Sequence, residues 1–217
     1  MTVQNSEPVV LLDDLDEERY TLYMESRYLA VDTETLGLHV KRDRLCLVQL
    51  CNENGVTTLV QIKRYNAPRL KAVLEAMQVE KIFHFARFDL ASLRHWLGFQ
   101  VAPVFCTKIA SRLVRTYTDG HGLKDITREL LNIELDKQQQ SSDWGAEELT
   151  EQQIAYAASD VIHLIEMKHK LAAMLQRNNR AAMARACMNF LPHRVSLDLA
   201  GWGDEDIFSH SSKRSIS

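Results

Sequence analysis

Tyr28-Leu29-Ala30-Val31-Asp32-Thr33 is an apolar run that turns acidic at its end, and Asp32-Thr33-Glu34 closes it. Branched and aromatic residues in a short run read as a buried strand. Residues two apart on a strand point to the same face, so Asp32 and Glu34 present their carboxylates side by side, roughly 7 Å apart at Cα. Acids at the end of an apolar stretch are costly to desolvate, and a divalent cation held between them offsets that cost.

Two further acidic motifs have similar settings. Phe85-Ala86-Arg87-Phe88-Asp89 follows a short apolar strand and places Asp89 one turn into a helix, while Tyr156-Ala157-Ala158-Ser159-Asp160 lies inside a long helix. Four residues apart on a helix, the Tyr156 hydroxyl and the Asp160 carboxylate point into the same space, where the tyrosine can orient a water. Two carboxylates about 4 Å apart repel by about 4 kcal/mol at a surface-like dielectric, so acids converging on one place call for cations. All-oxygen ligation suits Mg2+ or Mn2+, whereas Zn2+ favours His or Cys. Two such ions about 4 Å apart stabilise both the attacking and the leaving oxygen of an in-line displacement at phosphorus. Metal-dependent phosphodiester chemistry is therefore expected.

Val9-Val10-Leu11-Leu12 reads as another strand, followed by an acidic, helix-compatible stretch from Asp13 to Met24. The runs Leu45 to Cys51 and Val56 to Ile62 read as two more, joined by the turn Asn52-Glu53-Asn54-Gly55, which gives an antiparallel meander. From Pro68 the pattern turns helical through Leu70, Val73, Leu74 and Met77, then a strand at Lys81 to Phe85 precedes a helix closed by Gly98. Beyond it the chain reads as almost entirely helical. Thr150-Glu151-Gln152-Gln153 is a capping-box pattern that opens a helix expected to bury Ile154, Ala158, Val161 and Ile165. Gln138 to Ser142 reads as a polar loop, Gln176 to Phe190 as a helix, and the end from Leu191 as an extended tail. Strands first and helices after define an α/β architecture, with a catalytic domain over 1–190 and a C-terminal tail over 191–217.

At 217 residues and 46% hydrophobic, the chain can bury the core of one domain. With 26 Lys plus Arg against 29 Asp plus Glu, a net charge of -3 supplies no global field for a polyanion, so nucleic acid would be held by a local groove and by metal. The start lacks a basic segment followed by an apolar one, and no window approaches a membrane span; secretion and membrane insertion are not expected. Cys46, Cys51, Cys106 and Cys187 lie without a CxxC pair, as buried thiols would in a reducing, cytoplasmic setting.

These motifs, taken together, resemble those of the DEDD superfamily of 3′ to 5′ exonucleases, and within it those of the ribonuclease D family. Val31-Asp32-Thr33-Glu34-Thr35 is similar to the first exonuclease motif, His84-Phe85-Ala86-Arg87-Phe88-Asp89-Leu90 to the second, and Tyr156-Ala157-Ala158-Ser159-Asp160-Val161 to the third. The stretch Leu135 to Trp144 resembles the LDKxQxxSDW segment of ribonuclease D and discriminates better than the acids. Position 155 is Ala and position 156 Tyr, which resembles the tyrosine subclass rather than the histidine one.

The resemblance implies a ribonuclease H-like fold, with a mixed central sheet flanked by helices. It implies Asp32, Glu34 and Asp160 as ligands of a first metal, Asp32 shared with a second, Asp89 acting mainly through metal-bound water, and Tyr156 bonded to the attacking water. The substrate implied is single-stranded or 3′-frayed RNA, cut one nucleotide at a time to release 5′-monophosphates; a 3′-5′ exodeoxyribonuclease of the same fold is the alternative. Thr35, Leu36, Gly37, His84, Phe85 and Lys137 are candidate substrate contacts, the aromatic and imidazole rings by stacking. The helical nucleic-acid-binding domains that follow the catalytic part of ribonuclease D have no counterpart in this sequence, so grip is expected to be weaker or to come from a homo-oligomer.

Overall fold

The computed structural model describes residues 7–135 and 142–210. One mixed sheet carries β1 (Val9–Leu12), β2 (Tyr28–Thr35), β3 (Leu45–Asn52), β4 (Thr57–Gln61), β5 (Glu80–Phe83) and β6 (Val104–Cys106) in the order β1-β4-β3-β2-β5-β6. The helices are α1 (Glu17–Glu25), α2 (Pro68–Glu75), α3 (Ala86–Leu97), α4 (Thr107–Val114), α5 (Leu123–Leu131), α6 (Glu151–Ile162), α7 (Leu164–Arg177) and α8 (Ala181–Leu197), with a π-type turn over Asp198–Trp202.

β3 lies inside the sheet between β2 and β4, and every one of its residues is buried, because helices cover both faces. On one face Leu29, Val31, Val48, Leu50 and Val60 pack with Tyr23 of α1, Leu70 and Val73 of α2, Leu90 and Leu93 of α3, and Leu191 and Val195 of α8. On the other, Ala30, Cys51 and Ile82 meet Ala110, Ile126, Leu164, Met167 and Leu171 of α4, α5 and α7. On that second face Leu47 and Leu59 pack with Ala157 of α6 and with Trp144. Alternation along β2 therefore sends Asp32 and Glu34 toward α6 and Thr33 toward α3.

Local devices fix the pieces that carry the acids. Asn52 accepts from the N–H groups of Asn54 and Val56 at 3.1 Å, and Gly55, at φ 78°, supplies the left-handed position that closes the β3–β4 turn. Gly98, at φ 70°, ends α3 with its N–H on the Arg94 carbonyl, as its place after the last apolar residue predicts. The capping box of α6 is complete: Thr150 N–H donates to Gln153 Oε1 at 2.9 Å and Gln153 N–H to Thr150 Oγ1 at 3.2 Å.

Several elements depart from the sequence reading. β1 does not extend the meander: it joins the sheet parallel to β4, while β2–β3 and β3–β4 are antiparallel. The strand expected at Lys81 to Phe85 spans Glu80–Phe83, because Phe85 sits in the left-handed region at φ 67°. The helical half contains one more strand, β6, parallel to β5. The helix expected from Thr150 onward breaks at His163; Ala158 and Val161 are buried as expected, while Ile154 and Ile165 are half-buried. A single helix does not span Gln176 to Phe190; α7 ends at Arg177 and α8 runs to Leu197, burying Leu191 and Val195 where an extended tail was expected. Of the four thiols Cys187 is exposed and the others buried. Among the described residues no helix is long and apolar enough to cross a membrane. The loop Gln138 to Ser142 lies outside the described residues except for Ser142.

Candidate active site

Asp32 and Glu34 leave the end of β2 on the face that α6 covers, and Asp160 descends from α6 to meet them. One carboxylate oxygen from each lies within 4.8 Å of the others, and among the described residues this is the group of acids close enough to hold one cation. The donors are all carboxylate oxygens, a set that fits a hard divalent ion. Burial, with the charges of Asp89, Asp160 and Glu34 added, pushes Asp32 far above the usual carboxylate range. Burial and the neighbouring Asp160 and Asp89 push Glu34 up to about 9. A cluster that resists ionising alone is one that a cation stabilises strongly.

Asp89, 3% exposed, sits behind these acids in the first turn of α3. Thr33 Oγ1 donates to Asp89 Oδ1 at 2.7 Å, so the threonine between two acids of β2 fixes the third. Burial pushes Asp89 up to about 7 against the lowering effect of that bond.

Tyr156 lies one turn before Asp160 on α6, and its hydroxyl is bonded to the Asp160 carboxylate. Burial and the adjacent acids hold the phenol far above its usual value, so it remains an O–H donor at any working pH. Its ring packs near Trp144, with centroids 6.0 Å apart, and Gln153 Nε2 donates to the Asp143 carbonyl at 3.0 Å. The Asp143-Trp144 end of the discriminating segment is thereby pinned against the helix that carries Tyr156 and Asp160.

A cavity of about 640 Å³ opens over the cluster, lined by Asp32, Glu34, Tyr156 and Asp160. Thr35, Leu36, Gly37 and His84, read as substrate contacts, also line it. Thr35 Oγ1 donates to the Gly37 carbonyl at 2.5 Å, and a Cβ on Gly37 would meet the Asp43 carboxylate, so glycine lets this loop rest on Asp43 without displacing it. His84 Nδ1 bonds Thr107 Oγ1 at 2.9 Å. Phe85 does not line this cavity; it borders a neighbouring one with Phe88 and Arg87, and Lys108 Nζ stands 4.5 Å from its ring centre. Lys137 lies outside the described residues. Phe88 and Trp144, which the sequence presents only as parts of their motifs, and Lys108 and Lys124, which it does not single out, line the cavity as well. Lys108 and Lys124 flank helix starts, a signal too common to single them out.

Acids from two sheet-anchored segments, a tyrosine at a cavity of nucleotide size and a mixed sheet between helices define a nuclease of the carboxylate type. The chain belongs to the 3′-5′ exonuclease family, whose model matches residues 9–176. It is similar to ribonuclease D of Gluconacetobacter diazotrophicus, 33% identical over 154 residues, 70% of this chain and 39% of that protein. The chain thus spans about two fifths of the length of the curated ribonuclease D relatives it matches. Among solved structures it is similar to Brucella melitensis NrnC with bound Mg2+, 47% identical with a TM-score of 0.89, over 95% of this chain and 100% of that one. The same protein bound to pGG matches at 48% identity and a TM-score of 0.89, over 94% and 98% of the two chains. Escherichia coli RNase D, 23% identical with a TM-score of 0.76 over 86% of this chain and 50% of its own, shares the fold.

Proposed function

We propose that this chain is a metal-dependent 3′-5′ exoribonuclease that removes 3′-terminal nucleotides from single-stranded or frayed RNA and releases 5′-monophosphates. The observation that carries the reading is the meeting of Asp32 and Glu34 from β2 with Asp160 from α6, oxygens within 4.8 Å, beside the Tyr156 hydroxyl. The ribonuclease D relatives support RNA as substrate, and NrnC bound to pGG supports a nucleotide ligand.

Asp32, Glu34 and Asp160 would hold one Mg2+ or Mn2+, and Asp32 with Asp89 would serve a second; NrnC with bound Mg2+ supports the hard-cation choice. Bound there, such ions neutralise charge on the phosphate and activate water. Tyr156, held protonated, orients the water that attacks phosphorus. The bond to the 3′-oxygen of the preceding nucleotide breaks, that oxygen takes a proton, and a 5′-monophosphate leaves. Thr35, Leu36, Gly37 and His84 hold the terminal nucleotide at the cavity wall. The buried free thiols Cys46, Cys51 and Cys106 fit the reducing interior of a cell. Self-association would supply further grip on the substrate.

The test is digestion of matched end-labelled RNA and DNA strands with Mg2+, Mn2+, Zn2+ or EDTA. Stepwise loss of mononucleotides from the 3′ end of RNA, stopped by EDTA and restored by Mg2+ or Mn2+, is expected. Faster digestion of the DNA would move the assignment to the deoxyribonuclease, and internal cuts or restoration by Zn2+ alone would overturn it.

A further inference from the structure

Gln49 lies in the middle of β3, fully buried, and neither its Oε1 nor its Nε2 finds a hydrogen-bond partner in the protein. A buried amide without partners is a standing cost that folded proteins seldom carry without a use. Its place is specific. Gln49 stands directly opposite Asp32 in the antiparallel β2–β3 register and opposite Leu59 of β4. Directly opposed residues share a face, with Cβ atoms about 4.5 to 5.5 Å apart, so the amide lies beside the Asp32 side chain on the face that α6 covers. Leu47 and Leu59, its neighbours on that face, pack with Ala157 of α6 and offer no polar atom from their side chains.

The chemistry of the two groups is complementary. An ionised carboxylate only accepts, and a primary amide brings two N–H donors. Metal-ligating carboxylates are themselves hydrogen-bonded as a rule, and those outer bonds orient the ligand. We propose that Gln49 is a positioning residue for Asp32: its side-chain N–H bonds the Asp32 oxygen turned away from the cation and fixes the carboxylate for metal binding. The partner that the buried amide lacks is then an aspartate oriented as a ligand.

This inference rests on the reading of the acidic cluster as a metal site, so the experiment scores the two separately. Mn2+ binding to wild type, Gln49→Met and Gln49→Leu is titrated calorimetrically in the absence of substrate, alongside metal-free melting curves. Both variants are expected to fold with unchanged or higher melting temperature, since no bond is lost, and to bind Mn2+ about 10- to 100-fold more weakly. With RNA, kcat is expected to fall by a similar factor at near-constant KM. In wild type, the Gln49 side-chain amide resonances are expected to move when Mg2+ saturates the site, a readout that needs no variant. Mn2+ affinity within twofold of wild type, or an amide unmoved by Mg2+, would overturn the role of Gln49 and leave the metal site standing. Wild-type protein that binds neither ion would overturn both.

Discussion

Thr33 and Asp89, 56 positions apart in sequence, are joined by a 2.7 Å buried hydrogen bond from the threonine hydroxyl to the carboxylate. Strand alternation turns Thr33 away from Asp32 and Glu34, so one three-residue motif serves both faces of the sheet: two acids toward α6, one donor toward α3. Hydrogen bonds to charged groups contribute about 1.5 to 3 kcal/mol. Thr33→Val keeps the shape and removes the donor, and it is expected to lower stability by about that amount in urea melts and kcat by about tenfold. Thr33→Ser restores the hydroxyl and is expected to lie near wild type in both. A loss in Thr33→Ser with Thr33→Val near wild type would assign the effect to the methyl group's packing instead.

The metal-free protein should weaken as pH rises through neutrality. Glu34 is pushed up to about 9 and Asp89 to about 7, with Asp32 raised as well, whereas unfolded carboxyls titrate near 4. Between about pH 4 and these folded values the native state binds more protons than the unfolded chain, so stability falls with increasing pH across that window. Lys81 acts in the opposite sense. Burial pushes it down to about 7, so above pH 7 the unfolded chain holds the extra proton and stability rises until about pH 10.5. Comparison with Glu34→Gln, which leaves Lys81 in place, isolates the acids. In EDTA the variant is expected to gain melting temperature over wild type between pH 6 and 8.5, and Mg2+ to close the gap from the wild-type side. A constant difference across that range would contradict the raised carboxyls.

Asp32→Asn tests the same cluster through catalysis. The substitution replaces a buried carboxyl that is costly to ionise with a neutral amide of the same shape, so the metal-free protein is expected to melt no lower than wild type. Turnover is expected to vanish, because a neutral amide is a poor substitute for the carboxylate that the proposed shared-ligand role requires. Measurable digestion of RNA by the variant would remove Asp32 from a shared-ligand role.

How much of this was legible in the sequence follows from where each signal lies. The acids stood out because Asp32 closes an apolar run, and the capping box at Thr150 announced α6 in four residues. β1 and β6 are 4 and 3 residues long and lie at the sheet edges, where little periodicity accumulates and partners are set by tertiary packing. The end of α8 was hidden by Pro192, which reads as a helix stop; the helix nonetheless runs on to Leu197, with Leu191 and Val195 buried in the core on either side of the proline. Gln49 did leave a trace, a lone amide within Leu45-Cys46-Leu47-Val48-Gln49-Leu50-Cys51. Thr33 left none, because its role depends on a residue from another element.

Gly37 should tolerate no side chain. Its missing Cβ lets the loop after β2 rest on Asp43, whose carboxylate accepts from His39 N–H at 2.9 Å and pairs with Arg42 at 2.6 Å. Gly37→Ala drives a methyl into the Asp43 carboxylate, so either that carboxylate leaves its bonds to His39 and Arg42 or the Leu36–Gly37 segment shifts at the cavity wall. KM for RNA is expected to rise about fivefold or more while Mn2+ affinity stays near wild type, since the acids are anchored on β2 and α6. Loss of metal binding would show instead that the loop braces Glu34.

Tyr156→Phe separates orientation of water from assembly of the site. The hydroxyl is bonded to Asp160, and burial with the adjacent acids holds the phenol above its usual value, which suits it to position a water as an O–H donor. Removing it leaves the ring beside Trp144 and all four carboxylates in place, so stability and metal affinity are expected to change little. On the proposed role of Tyr156 as the partner of the attacking water, the rate under saturating RNA should fall at least tenfold with KM nearly constant. The pH profile of the residual activity should keep the shape of the wild-type curve. A shift of that profile by a unit or more would mean that the phenol takes part in proton transfer, and an unchanged rate would remove it from the reaction.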